Sequence, residues 1–84
     1  MADTFVWHED SGHAWLAVPH AIIEKLGIAC DISRYSYSDS RMVYLEEDCD
    51  APLFLRACER DGVAYTYRRV HMNGDSWIRS LAQY

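Results

Sequence analysis

Apolar and polar residues change period several times along the chain, and each change marks an element. Residues 4–8 are rich in β-formers, with Phe5 and Trp7 on one side and Val6 on the other. Residues 14–18 are a second apolar run, and the intervening Glu9-Asp10-Ser11-Gly12 is turn chemistry, so 4–18 reads as a hairpin. Pro19 ends the second strand and opens a helix over about 20–26. There Ile22, Ile23 and Leu26 share a face, Glu24 and Lys25 oppose it, and Gly27 follows as the stop. After a connector over 28–34, Tyr35-Ser36-Tyr37 predicts a short strand with both rings on one side, and 41–46 alternates Met42 and Tyr44 against Val43 and Leu45. Phe54, Ala57 and Cys58, joined by Leu53, give a second helix over about 51–60, closed by Asp61-Gly62. Residues 63–71 form the longest strand candidate. Beyond the Asn73-Gly74 turn, Asp75 is expected to cap a tail over 76–84 that packs through Trp77, Ile78 and Leu81.

Strand-strand-helix, strand-strand-helix, strand and tail make a two-layer α+β domain covering residues 1–84. Short links favour an antiparallel sheet of about five strands with both helices on one face. At 84 residues the chain supports one modest core.

Charge is unevenly divided. Residues 1–50 carry ten acids against Lys25, Arg34 and Arg41, a balance of −7, while 51–84 carry five arginines against three acids, a balance of +2. The acidic half disfavours nucleic acid and anionic lipid and favours a protein partner with a basic surface; direct nucleic-acid and membrane binding are not expected. Surface solubility explains the same imbalance equally well. Cys30, Cys49 and Cys58 lack Cys-x-x-Cys spacing, the start is no signal peptide, and no apolar run approaches a membrane span. A cytoplasmic monomer with free thiols and no cofactor is the expectation.

The chemistry concentrates in Glu46-Glu47-Asp48-Cys49-Asp50. Asp50 is placed to cap the second helix, with Pro52 in its first turn, and capping needs one acid or two. Glu46 and Glu47 therefore read as surplus, whose mutual repulsion a basic partner would relieve. Glu46, Glu47, Asp48 and Asp50 are the first candidates for partner binding, with Glu9, Asp10, Asp31 and Asp39 contributing from neighbouring turns. Acid/base catalysis needs carboxylates in a cleft with separated pKa values, and nothing in the local sequence announces a cleft, so an enzyme is not expected. Cys49 near a helix start has the position of a reactive thiol, but the surrounding acids oppose its ionisation, and a small residue packed at a strand-helix junction is the favoured reading. His8, Glu9, Asp10 and His13 are the nearest approach to a metal site, though their spacing matches no standard zinc pattern and turn polarity accounts for them. The pairs Tyr35/Tyr37 and Tyr65/Tyr67 are core or interface, which sequence leaves open. Arg68 and Arg69 are expected to balance acids internally or to solvate a strand edge.

Five stretches carry a family resemblance: residues 12–19 (GHAWLAVP), 26–28 (LGI), 32–37 (ISRYSY), 43–51 (VYLEEDCDA) and 75–79 (DSWIR). In them the chain resembles a family of small, largely uncharacterised proteins of phages, plasmids and other mobile elements of proteobacteria. The resemblance implies a function of the anti-CRISPR kind, in which a small acidic protein binds a type I CRISPR surveillance complex in the host cytoplasm and blocks target DNA by occupying a basic groove. It carries no catalytic residues. The alternatives are a mobile-element regulator or antirepressor that binds another host protein, and a small metal-dependent hydrolase.

Overall fold

A computed structural model describes residues 3–84. The strands are β1 (Asp3–Glu9), β2 (Ala14–Pro19), β3 (Tyr37–Ser38), β4 (Met42–Glu46), β5 (Tyr65–His71) and β6 (Ala82–Gln83). The helices are α1 (His20–Lys25) and α2 (Asp50–Asp61), with single 3-10 turns at Ala29–Asp31 and Trp77–Ser80. The α+β class stands. The sheet differs from the expected five antiparallel strands: it has six, in the order β5-β1-β2-β4-β3-β6, and β5 runs parallel to β1. The link after β4 permits this. β1 and β4 both run antiparallel to β2, so β5, parallel to β1, points the same way as β4, and a same-direction pair needs a crossover of a dozen or more residues. α2 is that crossover, and it carries the chain over β2 and β1 to the far edge.

Strand periodicity sorts the side chains onto two faces. Phe5, Leu16, Val18, Val43 and Leu45 lie beneath the helices, packed with Ile23, Leu26, Ala51, Phe54 and Ala57, and the Phe5 and Phe54 rings meet edge-on at 5.3 Å. Both helices cover this face. The opposite face carries Trp15, Ala17 and Tyr44, and the C-terminal tail seats Ile78 on them. The tail is a 3-10 turn followed by an edge strand. Its cap is Ser76, whose Oγ accepts the Ile78 N–H at 3.3 Å, and not the exposed Asp75. The strand expected at Tyr35 begins two residues later, at Tyr37.

Arg69 on the edge strand β5 pairs with Glu9 at 2.7 Å and lies over the Trp7 and Tyr67 rings, while Arg68 is exposed. The Tyr65 and Tyr67 rings stack on each other, with Tyr67 half in solvent. Among the described residues no helix is long and apolar enough to cross a membrane.

Candidate functional site

The tail turn divides the second sheet face into two depressions. On one side Trp77 walls a groove floored by β1, β2 and β4. On the other, Arg79 helps to wall a pocket of about 250 Å³. The second is the candidate site, because the polar and charged side chains converge there.

The floor of this pocket is Trp15, buried in β2. The Arg79 guanidinium lies 5.2 Å above its ring, and Tyr37 meets it edge-on at 6.2 Å. Trp15 Nε1 is buried with no hydrogen-bond partner among the described residues. Tyr35, 57% exposed, stands at the rim. Glu46, Asp48 and Cys49 come from the end of β4 and the turn into α2, and His13 from the turn ahead of β2. This cleft beside the acids was not foreseen, because its halves lie thirty residues apart in sequence and meet only through the β2–β4 pairing.

The acids divide into those the fold consumes and those it leaves free. Glu46 is not surplus: it is buried, and its Oε2 accepts the backbone N–H of Asp48 at 2.9 Å and of Cys49 at 2.8 Å. It organises the turn that launches α2. Asp50 is not the N-cap either. It is the first residue of α2, the cap position is Cys49, and no side chain caps there. The buried Asp50 carboxylate instead accepts from the Ser33 N–H, the Ser33 hydroxyl and the Ser36 hydroxyl, tying the loop before β3 to the helix start. Asp10 is buried too. It accepts from the N–H groups of Gly12, His13 and Ser76 and from Arg79 at 2.7 Å, and these donors hold its carboxyl well below the usual carboxylate range. Asp39 accepts the N–H groups of Arg41 and Met42 and the Tyr44 hydroxyl; burial foremost, and then this bond to Asp39, push the Tyr44 phenol up to about 12. Glu9 is engaged by Arg69, and Asp31 is exposed in a 3-10 turn away from the pocket. Among the described residues, exposed Asp48 is the one acid lining the pocket without such an internal duty, and half-buried Glu47 precedes it in the chain.

The four residues that came nearest to a metal site in the sequence separate. Glu9 and Asp10 turn to arginines, and His8 packs edge-on against Trp77 and Tyr44. His13 instead reaches Glu46, with Nδ1 3.9 Å from Oε1. Cys49 is exposed rather than packed, and its thiol is pushed up by a hydrogen bond to Glu46 and by the surrounding acids, which does not favour a thiolate nucleophile.

The surplus reading of Glu46 made its loss harmless or helpful. The hydrogen bonds reverse that sign. Glu46→Ala should lower stability by roughly 1–2 kcal/mol, the size of losing a helix-start acceptor. Urea melts of Glu46→Ala beside Glu47→Ala measure it, and the second should lie within about 0.5 kcal/mol of wild type.

No protein-family model, curated protein or solved structure matches the chain.

Proposed function

We propose that the protein is a non-enzymatic binding protein that captures a basic side chain of a protein partner in the Trp15–Tyr35–Tyr37 pocket, with Asp48 as its principal charge and Glu47 beside it. The observation that supports this reading is convergence. Four of the five stretches of the family resemblance are far apart in sequence, yet they contribute His13 and Trp15, Tyr35 and Tyr37, Glu46, Asp48 and Cys49, and Arg79 to one pocket. Its size favours an arginine or lysine side chain, since cofactor-sized ligands generally need about 300–1,000 Å³. Tyrosine faces and an exposed carboxylate are what such a side chain requires: apolar walls for its stem, π-faces for its cation and an acceptor for its N–H groups. The resemblance directs the choice of partner to a type I CRISPR surveillance complex, whose DNA groove is lined with lysine and arginine. Blocking that groove requires binding alone.

The test is target-DNA binding by a purified type I surveillance complex, with and without the protein. Wild type should inhibit, less well as salt rises. Losing a charge paired with arginine costs about 2–5 kcal/mol where the pair is desolvated, so Asp48→Lys combined with Tyr35→Ala should weaken inhibition at least about tenfold while the circular dichroism spectrum stays native. Both residues are exposed, so the variant spares the fold, which a reversal that included Glu46 would not. Undiminished inhibition by the folded double variant would refute the pocket. No inhibition by wild type would refute this choice of partner and turn the search to other host proteins, transcription regulators first.

A further inference from the structure

Two residues of the pocket wall, His13 and Glu46, join Glu47 in a donor set that sequence spacing concealed. His13, Glu46 and Glu47 each offer one ligand atom, and all these atoms lie within 4.8 Å of one another. The Glu46 side chain is nine-tenths buried. Its Oε2 is occupied by two backbone N–H groups, whereas Oε1 faces His13 Nδ1 and receives no N–H or hydroxyl donor among the described residues; the Cys49 thiol is the other donor to this carboxylate. At 3.9 Å that separation is too long for a hydrogen bond.

We propose that His13, Glu46 and Glu47 form a binding site for a divalent transition-metal ion, zinc foremost. Imidazole nitrogen with carboxylate oxygen is a borderline donor set, which zinc accepts and which magnesium and calcium, as all-oxygen ions, do not favour. Ligand atoms about 2.1 Å from a tetrahedral zinc stand roughly 3.4 Å from each other. His13 Nδ1 and Glu46 Oε1 are therefore wide by about half an ångström, and no pair of the set is wide by more than about 1.4 Å. Closing on an ion falls to the half-exposed His13 ring and the half-buried Glu47 side chain. The backbone holding the ligands is pinned: His13 exchanges hydrogen bonds with Asp10, and the Glu47 N–H donates to Ala14 O at 3.1 Å. An ion here would remove the repulsion between the adjacent Glu46 and Glu47 carboxylates. Three protein ligands leave a fourth position for water or a partner's donor atom. The site shares Glu47 with the partner reading but does not require a partner, because Asp48 and the tyrosines lie outside the donor set and zinc binding is read on the protein alone.

The test is zinc titration of untagged, chelator-treated protein, read by isothermal calorimetry and by native mass spectrometry. One zinc per chain is expected. His13→Ala and Glu47→Gln should each weaken binding at least tenfold, and His20→Ala and Cys30→Ser should leave it unchanged. Glu46 is left intact because its loss also disturbs the helix start. Absence of saturable binding would overturn the proposal. So would equal binding by wild type and His13→Ala, or loss of binding in Cys49→Ser while His13→Ala still binds, which would move the ion to the thiol.

Discussion

Asp10→Ala is expected to lower stability by roughly 3 kcal/mol, a large share of the ~5–15 kcal/mol that holds a domain together. The carboxylate is shielded from solvent and serves the N–H groups of Gly12, His13 and Ser76 together with the Arg79 guanidinium. Removing it strands several donors at once, and each unsatisfied buried donor costs about 1–3 kcal/mol. Arg79 keeps a third of its side chain in water, which holds the loss below the ~5 kcal/mol upper limit for a broken buried pair. Asp10→Asn retains an acceptor oxygen and should fall between wild type and alanine. Urea melts give the values.

Acid should produce the same loss in the wild-type protein. Hydrogen bonds, that from Arg79 foremost, hold the folded-state Asp10 carboxyl well below the ordinary 3.8 that applies in the unfolded chain. Its stabilisation is therefore complete above about pH 4 and is lost as pH falls below that value. Wild type should lose stability more steeply than Asp10→Asn between about pH 4 and pH 2, so that the two converge. Parallel curves would mean that Asp10 is not linked to folding in this way.

Asp50→Ala should cost roughly 3 kcal/mol, more than the ~1 kcal/mol of an ordinary lost cap. Its carboxylate accepts two hydroxyls and a backbone N–H from the loop before β3, and the Ser36 hydroxyl in turn accepts the Glu46 N–H. Truncation leaves those donors unpaired inside the protein. The decisive measurement is a double-mutant cycle with Ser36→Ala. Residues joined in one buried network couple by about 0.5–3 kcal/mol, whereas a plain helix cap would be additive with a serine on another element. Additivity, with a small effect of Asp50→Ala alone, would restore the capping role.

Asp10 and Asp50 also show where sequence reading stops. Local sequence places each among the acids facing a partner, because an aspartate in a turn or at a helix start is ordinarily exposed. What buries them is distant: Arg79 and Ser76 from the tail for Asp10, Ser33 and Ser36 for Asp50. Nothing in the local spacing encodes such pairings. Local spacing did determine the elements. Alternation in β1 and β4, the apolar run of β2, the i, i+3, i+4 face of α2 and the glycines at positive φ after both helices are short-range constraints, and they place most elements within a residue or two. Tertiary structure alone decided that β5 docks outside β1 in parallel, because a crossover's length permits that course without selecting it. The same pairing of β2 with β4 brought His13 beside Glu46 and opened the pocket between them, since a side chain's neighbours across a sheet are set by strand order and register, which no stretch of this chain contains by itself.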